Sequence, residues 1–465
     1  MSDWLPDYLP SGSLKYVAIA DALARDIQSG ALKPGDRLPT HRELAYKLGV
    51  SISTASKAFA EATRRQHIHA SVGRGSFVAP SAWSDRSRLD LDEDHAGGID
   101  LSFNCPIVAA PHMKALADTL QAVAADRQSL ALQGYHRPWT GIDAHRQAGA
   151  QWLERHGMRT HFETISITAG AQHAAAIVLG SLLSPGDSVV TEELTDPGVK
   201  LLCAHHRIRL KGLAIDEFGI CPAALDAACR EAKIRALFCI PNHHSPTLSV
   251  LPEERRKEIA DIARRYDLLI LENDVYGAFV ENPPLAVASF APERSFYFSS
   301  LSKIISPGLR LGFLAAPPGR AAELMTGFGS TCWMASHIMA EVGARWIREG
   351  TAERLASWQR QEMAYRNEMV RKILGRLDVT ALASSLHVWL RLPEPWRADG
   401  FAKQLRGEGV WVTPAEAFAV GQGAAPQAVR ISLGGATPSR SQLQQGLEIL
   451  ARALESRPAA NFVIM

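Results

Sequence analysis

Short apolar runs alternate with longer amphipathic stretches from about Ile99 to the end of the chain. The apolar runs are rich in Ile, Val, Leu and Phe and read ISITAG, DSVVTEE, IRALFCIP, DLLILEN, FYFSS and LRLGFLAA. Helical stretches such as PEERRKEIADIARRYD lie between some of them. Strands that alternate with helices predict an α/β fold with a largely parallel sheet covered on both faces. From about Thr331 onward, a small alternating pattern predicts a second, smaller lobe.

The first 80 residues follow a different pattern. The stretch LKYVAIADALARDIQSG carries an apolar stripe at helical spacing, and THRE forms a capping box for a second helix that ends at Leu48-Gly49. Ser51 or Ser53 then caps a third helix, STASKAFAEATRRQ. Two short helices joined by a tight turn are typical of a helix-turn-helix, and SVGRGSFV predicts a following hairpin with Arg74 at its tip.

Composition excludes several classes of protein. Among 465 residues, 46% are hydrophobic and the formal net charge is only +2, so no general basic field indicates nucleic acid. Six scattered cysteines without a CxxC pair indicate reduced thiols. No signal peptide and no run of about 18 apolar residues is present, so we expect a cytoplasmic protein without a membrane span. The adjacent histidine pairs diverge along a strand, and no metal site is expected.

The stretch SSLSKIISPGLRLGFL places Lys303 just after Ser300 and Ser302, with Arg310 seven residues further on. A desolvated amine beside phosphate-binding groups is one interpretation, and an ordinary surface loop is the other. The stretch ITAGAQHAAAIVLG follows a strand and opens a helix. Free amides and the positive dipole end at such a helix start suit a phosphate. The residues of this predicted cradle are Gly170, Ala171 and Gln172.

The segments PGDRLPTHRELA, LGVSISTASKAFAEA and GRGSFV resemble the winged helix-turn-helix of GntR-type bacterial regulators. The resemblance implies that the third helix enters the major groove, that Arg37, Arg42 and Lys57 meet phosphate, and that Arg74 reaches the minor groove. The residues expected to bind DNA are Arg37, Thr40, Arg42, Ser51, Ser53, Thr54, Lys57 and Arg74. One departure is Ile52, which stands where the family often has arginine. The alternative is a helical protein-protein module with a solvated basic face.

From about residue 99 onward the chain resembles fold-type I, pyridoxal-phosphate-dependent aminotransferases. The resemblance implies that Lys303 is the Schiff-base lysine and that Ser300, Ser302 and Arg310 join the cradle in holding the phosphate. It gives Tyr276 in LENDVYG a hydrogen bond to the cofactor's phenolic oxygen, and Tyr135 in YHRPWTG a contact with the phosphate of the partner subunit. Arg430 in VRISL would bind a substrate or effector α-carboxylate with a bidentate guanidinium. The alternative for Arg430 is a salt-bridged structural arginine.

Three positions around the cofactor ring depart from the aminotransferase pattern. Asn273 replaces the aspartate that keeps the pyridine nitrogen protonated, so the ring loses its charge partner. Ser245 replaces the asparagine that contacts the phenolic oxygen, and Asp196 replaces the aromatic residue that stacks on the ring. Glu272 and Asp274 adjoin Asn273 but point to the opposite face of a strand. We therefore expect weak or absent transamination, with pyridoxal 5'-phosphate still held by the cradle and Lys303.

A GntR-like head on an aminotransferase-like body resembles the MocR subfamily of transcriptional regulators. The predicted parts are a winged helix-turn-helix DNA-binding domain over residues 12–80, a linker over 81–98, and an aminotransferase class I/II-like effector and dimerisation domain over 99–465. The resemblance implies a homodimer that binds a double-stranded DNA operator and senses pyridoxal phosphate or a related small-molecule effector. The alternatives are an active aminotransferase with a regulatory head and a cofactor-free regulator. PEERRKE and Lys211-Gly212 are interpreted as a solvated helix face and a turn.

Overall fold

The computed structural model describes residues 4–6, 14–29, 31–32, 35–65, 67–71, 75–78, 98–131, 134, 138–421, 423–435 and 439–456. The chain divides into two compact units. The first comprises residues 1–92 with 422–424, and the second comprises 93–421 with 425–465. Within the described ranges, no helix is both long enough and apolar enough to cross a membrane.

The described residues of the first unit form three helices and a hairpin. In chain order these are α1 (Lys15–Ser29), α2 (His41–Leu48), α3 (Ile52–Arg64), β1 (Ile68–Ser71) and β2 (Gly75–Val78). Strands β1 and β2 pair antiparallel, with Ile68 opposite Val78. The helix-turn-helix predicted from the sequence is therefore present, followed by the predicted hairpin.

Local chemistry fixes the ends of α2 and α3. The Thr40 hydroxyl accepts from the Glu43 amide at 3.2 Å, and the Glu43 carboxylate accepts from the Thr40 amide at 2.8 Å, which completes the capping box. Gly49 ends α2 with φ of +61°, a conformation that glycine adopts without steric cost. Ser51 caps α3 by accepting from the Thr54 amide at 3.1 Å. Of the two serines considered as caps, Ser51 is the cap and Ser53 is the second residue of the helix.

The core of the first unit is made where the three helices meet the hairpin. Its buried side chains include Leu23, Leu44, Phe59, Ile68 and Val78, each no more than 3% exposed. Burying each of these side chains contributes roughly 1.5–3 kcal/mol. The inward faces of α2 and α3 leave the opposite face of α3 available to solvent.

The second unit contains most of the described elements. Its strands are β3 (Ile99–Asp100), β4 (Ile165–Thr168), β5 (Ser188–Glu192), β6 (Arg209–Leu213), β7 (Ile215–Asp216), β8 (Gly219–Ile220), β9 (Ala236–Cys239), β10 (Leu269–Asn273), β11 (Ser295–Ser300), β12 (Gly312–Ala315), β13 (Val379–Thr380), β14 (His387–Arg391), β15 (Val410–Trp411), β16 (Thr413–Pro414) and β17 (Ala428–Ser432). Its helices are α4 (Ala110–Ala125), α5 (Arg127–Ala131), α6 (Asp143–Arg155), α7 (Ala171–Leu182), α8 (Pro197–His205), α9 (Pro222–Glu231), α10 (Glu253–Arg265), α11 (Val287–Phe290), α12 (Met325–Gly329), α13 (His337–Arg348), α14 (Thr351–Leu374), α15 (Ala398–Gly407) and α16 (Arg440–Glu455).

A seven-stranded sheet forms the centre of the second unit, in the order β4-β12-β11-β10-β9-β5-β6. Its pairs are parallel except that β12 runs antiparallel to β11 and β4. Apolar cores lie on both faces, one containing Phe238 and Phe298 and the other Ile259 and Ile270. This is the buried, largely parallel α/β sheet that the alternating pattern predicted.

A smaller sheet lies in the C-terminal part of the unit, in the order β13-β14-β17-β16. Strand β3 pairs parallel with β15, so that Ile99 lies opposite Val410. The segment that follows β3 therefore begins beside the smaller lobe. The pairing also positions residues 102–104, whose carbonyls accept from Lys303 and Arg430.

Two minor interpretations of the sequence are wrong. Lys211 and Gly212 lie inside β6 rather than in a turn. The PEERRKE stretch begins α10, but Arg256 within it is fully buried instead of solvated. Its guanidinium donates to backbone oxygens and, at 2.7 Å, to the Asn242 side chain. A run of charged residues does not show which arginine the fold will bury and supply with hydrogen-bond acceptors.

Candidate functional site

The outward face of α3 carries the side chains expected to meet DNA. Ser53 and Lys57 are exposed on α3, and Arg42 is exposed on α2. Arg37 is also exposed and lies beside the hairpin, where its backbone bridges to Phe77 and its side chain runs close to Gly75. Four of the predicted DNA residues are thus solvent-accessible on one small scaffold. Arg74 lies outside the described residues.

The remaining predicted DNA residues have capping roles. The Thr40 hydroxyl belongs to the α2 capping box, and the Ser51 and Thr54 hydroxyls lie 2.8 Å apart at the start of α3. An engaged hydroxyl still has a further hydrogen-bonding position, so capping and DNA contact are compatible. Thr40 fixes how α2 begins, and Ser51 and Thr54 fix how α3 begins.

In the second unit, the predicted phosphate cradle is a glycine-built turn between β4 and α7. Gly170 precedes α7 with φ of +94°, and it offers no side-chain cap. The first-turn amides of Ala171 and Gln172 have no intrahelical acceptor, as at any helix start. A Cβ on Gly170 would lie 3.0 Å from the Arg310 guanidinium, which donates to the Ala169 carbonyl at 3.0 Å. Arg310 and the helix start are therefore brought together.

Gly312 lets the neighbouring strand approach this turn closely. A Cβ on Gly312 would lie 2.7 Å from the Gly170 carbonyl carbon and 2.8 Å from the Thr168 hydroxyl. Gly312 also lies opposite Ser300 across the β11–β12 ladder. The end of β11, the start of β12 and the cradle therefore meet at one edge of the sheet.

Lys303 follows β11 directly and is half-buried. Its Nζ donates to the Asn104 carbonyl at 2.7 Å. Ser300 and Ser302 are both buried, and the Ser302 hydroxyl has no hydrogen-bond partner among the described residues. An exposed surface loop does not fit a half-buried lysine that comes directly after a buried serine.

Asn104 is a residue that the sequence did not reveal. Its side-chain amide donates to the Tyr276 hydroxyl at 3.0 Å and lies 3.1 Å from His387 Nδ1, while its carbonyl accepts from Lys303. Asn104 thus joins the lysine to the tyrosine that the sequence assigned to the same site. It lies in the irregular stretch LSFNCP, where no periodicity or motif marks a polar residue as functional.

Arg430 is buried in the smaller sheet, and no carboxylate among the described residues pairs with it. Its guanidinium donates to the Ser245 hydroxyl at 3.2 Å and to the Ser102 carbonyl at 2.8 Å. The Nε atom has no acceptor within the described ranges, and burial lowers the pKa of Arg430. The salt-bridged alternative is therefore not what the structure contains. A buried cation held by neutral oxygens and by the Phe418 ring, 4.7 Å from its Cζ, is suited to receiving an anion.

The faces of β10 separate Asn273 from the acidic residues beside it. Glu272 accepts from the Val287 amide at 3.0 Å, and Asp274 accepts from Asn242 at 2.9 Å and from Tyr297. Asn273 lies on the other face, in register with Phe298. Its Oδ1 is buried and finds no partner in the part of the chain that the structure describes. The predicted opposition of these faces is confirmed, and neither neighbouring carboxylate can replace the missing aspartate.

Asp196 has a clear local role as the N-cap of α8. Its carboxylate accepts from the Gly198 amide at 2.8 Å, while Gln172 donates to the Gly198 carbonyl at 3.0 Å. The starts of α7 and α8 therefore lie side by side. An aspartate in place of an aromatic residue gains this cap, which no aromatic side chain supplies.

Three buried histidines lie near Arg430 and Tyr276. Burial lowers the pKa of His243 to about 4 and that of His244 to about 3, and it holds the pKa of His387 well below its usual range. Arg430 lowers the pKa of His387 further. These rings are therefore neutral at physiological pH. The last predicted site residue, Tyr135, lies outside the described residues.

Comparison with known families assigns both units. The family described as bacterial regulatory proteins, gntR family, matches residues 15–78, and aminotransferase class I and II matches residues 98–450. A Bacillus subtilis HTH-type transcriptional regulator, YdeF, is 31% identical over 97% of this chain and 97% of its own. The chain belongs to the MocR subfamily of GntR-type transcriptional regulators. It is a DNA-binding regulator whose second unit is aminotransferase-like.

Further relatives of this MocR-type regulator share its two-part organisation over most of their length. The pyridoxine biosynthesis regulator PdxR of Corynebacterium glutamicum is 26% identical, covering 87% of this chain and 89% of its own. The regulator TauR of Rhodobacter capsulatus is 25% identical over 88% and 90%.

Solved structures support the fold of the second unit. An archaeal alanine:glyoxylate aminotransferase covers 77% of this chain and 91% of its own, with a TM-score of 0.69 and 22% identity. A multiple substrate aminotransferase from Thermococcus profundus gives a TM-score of 0.70 at 19% identity, covering 77% and 92%. At these identities the likeness concerns the fold alone.

Proposed function

We propose that the aminotransferase-like unit of this regulator binds pyridoxal 5'-phosphate through Lys303, and that its liganded state controls operator binding by the helix-turn-helix unit. The observation that carries the proposal is a set of buried polar atoms left without partners around one lysine. These atoms, unpaired among the described residues, are Ser302 Oγ, Asn273 Oδ1 and Arg430 Nε. Buried polar groups are normally satisfied, so these three atoms are available to hydrogen-bond a ligand.

The cradle fits a phosphate. The open start of α7 offers amides and the positive end of a helix dipole, and Arg310 adds a guanidinium beside it. Gly170 and Gly312 let Arg310 and the start of β12 approach the cradle more closely than a Cβ would allow. Gly170, Ala171, Gln172, Ser300, Ser302 and Arg310 would hold the phosphate.

The residues around Lys303 fit the rest of the cofactor. Pyridoxal phosphate supplies an aldehyde that a lysine amine can capture and a ring that withdraws electrons from a bound amino compound. Asn104 orients the Lys303 amine through its carbonyl and the Tyr276 hydroxyl through its amide. Tyr276 would bond the phenolic oxygen, and Asn273 would face the ring nitrogen with a neutral amide.

The residues expected around the cofactor ring favour ligand sensing over catalytic turnover. Asn273 carries no charge with which to stabilise a protonated ring nitrogen, and Asp196 caps α8 instead of stacking on the ring. Arg430 nevertheless keeps a guanidinium with only neutral partners. We therefore infer that an effector bears a carboxylate bound at Arg430, in addition to or instead of an amino group captured at Lys303.

The name of one relative supports a link to pyridoxal phosphate. PdxR is named as a regulator of pyridoxine biosynthesis, and it matches 87% of this chain. We further propose a homodimer formed by the aminotransferase-like units, in which Tyr135 reaches the phosphate of the partner subunit. In the helix-turn-helix unit, Arg37, Arg42 and Lys57 would contact phosphate and the exposed start of α3 would face bases.

Cofactor binding is tested with purified full-length protein and added pyridoxal phosphate. We expect a visible absorption band that borohydride removes, with the label retained on a peptide containing Lys303. Lys303→Ala should show no band and no retained label. Lys257→Ala, which removes an exposed lysine of α10, serves as the control and should behave as wild type. A wild-type protein that takes up no cofactor would favour the cofactor-free alternative.

Regulation is tested by selecting an operator from random duplex DNA and measuring its affinity with and without the cofactor. We expect pyridoxal phosphate to change the affinity of wild type but not that of Lys303→Ala. Arg42→Ala and Lys57→Ala should weaken binding to all sequences and reduce the salt dependence, because each removes a phosphate contact. Equal operator affinity in all these conditions would contradict the proposed coupling.

A further inference from the structure

Ile52 is an exposed apolar residue at the position of α3 that is best placed to meet bases. It is the first residue of the helix, directly after the Ser51 cap, and 54% of its surface is exposed. The buried face of the helix carries Ala55, Ala58 and Phe59. Ile52 therefore contributes little to the core that stabilises the unit. A single exposed apolar side chain is ordinary on a protein surface, so the significance of Ile52 comes from its position at the start of this helix.

Most of the side chains near Ile52 on the outward side of α3 are small. Along the outward side of α3, the residues near it are Ser53, Ser56 and Ala60, all small, and only Lys57 is long. Ser56 is also drawn inward by a 3.0 Å hydrogen bond with His41 Nδ1. A helix face of small residues can approach base edges closely, and Ile52 projects from it at the N-terminal end. In helix-turn-helix proteins the N-terminal residues of this helix contact base edges in the major groove.

Charge identifies the partner of this face as DNA rather than protein. The exposed side chains of this unit include the basic Arg37, Arg42 and Lys57, of which Lys57 lies on α3 itself. Among described residues 14–78 the basic residues outnumber the acidic ones, and the gntR family match covers this unit. An apolar side chain within a basic, DNA-binding face has one apolar target in the major groove, the 5-methyl group of thymine.

We propose that Ile52 reads a thymine in the operator by contact with its 5-methyl group. The proposal deepens the DNA-binding function and rests on the docking of α3 proposed above. Isoleucine has no hydrogen-bonding group, so it cannot read guanine as an arginine at this position would. It can, however, exclude water from a methyl group, which is worth about 0.8 kcal/mol or roughly fourfold in affinity.

The experiment is a double-mutant cycle between protein and DNA. An operator is first selected from random duplex DNA by the full-length protein, and each thymine is then replaced singly by deoxyuridine, which lacks only the 5-methyl group. We expect one thymine in each half-site whose replacement weakens wild-type binding about fourfold. The same replacement should leave the affinity of Ile52→Ala unchanged, and Ile52→Val should respond by an intermediate factor.

Two controls separate this reading from a general effect. Tyr46→Ala removes another exposed large side chain of the same unit, 89% exposed on α2, and should leave the response to that deoxyuridine at the wild-type factor. Ile52→Ala should also keep the wild-type salt dependence, because no phosphate contact is lost. Repeating the selection with Ile52→Arg should move the preferred base at that position from thymine to guanine.

The outcomes are distinguishable. Selection of no operator sequence under any condition would contradict the DNA-binding function itself. A selected operator in which every thymine is replaceable without loss, or whose sensitive thymine stays equally sensitive in Ile52→Ala, would overturn the assignment of Ile52 while leaving that function intact.

Discussion

Around Lys303, the side of the site toward Gly170 and the side toward Asn273 are built from different chemical groups. The phosphate side consists mainly of backbone: the α7 amides, two glycines that permit close approach, and one guanidinium from Arg310. The ring side consists of side chains whose identities depart from the aminotransferase pattern, among them Asp196 and Ser245. A site made of backbone persists unless its glycines change, whereas a ring-tuning group is lost by a single substitution.

This difference distinguishes the groups needed to bind a cofactor from those needed for transamination with it. Affinity for a phosphate needs amides and a positive charge, all of which the phosphate side supplies. Transamination needs a stabilised ring charge, and on that side Asn273 supplies only a neutral amide with an unpaired Oδ1 among the described residues. A chain of this kind can therefore report the presence of a ligand without consuming it. Each half can be altered alone to break or sharpen this contrast.

The largest effect is expected from Gly312→Ala, which attacks the backbone-built half. The new Cβ would lie 2.7–2.8 Å from Gly170 and Thr168, mostly against backbone that cannot swing aside. Overpacking of this kind costs typically about 2 kcal/mol, so the apparent affinity for pyridoxal phosphate should fall by roughly 30-fold. Titration followed by the absorption of the bound cofactor measures this change.

Gly308→Ala is the matched control for that substitution. Gly308 lies in the same loop region, and its nearest neighbour to a new Cβ is the Ser306 hydroxyl at 3.8 Å. We expect cofactor affinity within about twofold of wild type, since only ordinary van der Waals contact is added. If both glycine variants bind the cofactor equally well, the close approach of β12 is not what shapes the cradle.

A smaller effect is expected from Asn273→Asp, which repairs the altered half. A carboxylate facing the ring nitrogen would hold its proton, and charged hydrogen bonds exceed neutral ones by about 1.5 kcal/mol. The rate of half-transamination with amino acids should rise at least about tenfold. This rate is measured as the loss of the cofactor's absorption band over time. Asn273→Ser removes the amide without adding charge and should show no gain. An aspartate variant that binds cofactor but stays as slow as wild type would show that the ring charge is not limiting.

The elements that the sequence predicted well are those defined by local patterns. The capping box at Thr40, the αL turn at Gly49 and the glycine before α7 each depend on residues within a few positions of one another. Alternating apolar runs predicted the parallel sheet because buried strands must be apolar on both faces. The strand, glycine and helix start of the proposed phosphate cradle were predicted for the same reason, since they are consecutive.

What the sequence did not reveal depends on contacts between distant segments. Asn104 meets Lys303, Tyr276 and His387, none of which is within 170 residues of it along the chain. Arg256 sits in a charge run typical of a solvated helix, yet the fold buries it against loop carbonyls. The sequence Asp196-Pro197-Gly198 is typical of a helix start, but the resemblance assigned Asp196 to the cofactor ring instead of to a cap. Register and packing decide such cases, and neither is visible in one sequence.

Acid should destabilise the ring half through its buried histidines, and His244→Gln tests this. The folded-state pKa of His244 is about 3 because of burial, against 6.5 when solvated. As pH falls below 6.5 only the unfolded chain takes up this proton, so stability is lost as pH decreases. Between pH 6.5 and 5.5 this histidine accounts for about 1 kcal/mol of lost stability. The variant should lose about that much less, as measured by denaturant unfolding at both pH values.

His161→Gln is the control for the pH experiment. The His161 side chain is 66% exposed, so this variant replaces a histidine without removing a buried ring. If His244→Gln and wild type lose the same stability between the two pH values, burial of this ring does not exclude its proton.

The smallest effect is expected at Asp196, where the two halves of the site adjoin. Asp196→Ala removes the side chain that accepts from the Gly198 amide, and the loss of an N-cap costs typically about 1 kcal/mol. Asp196→Asn keeps an acceptor oxygen at the same position and should unfold within a few tenths of a kcal/mol of wild type. Unfolding in denaturant compares the three proteins. Equal destabilisation by alanine and asparagine would assign the effect to the negative charge near Arg430 rather than to the cap. A difference in the expected order would mean that this position now stabilises the start of α8, next to the cradle, instead of the cofactor ring.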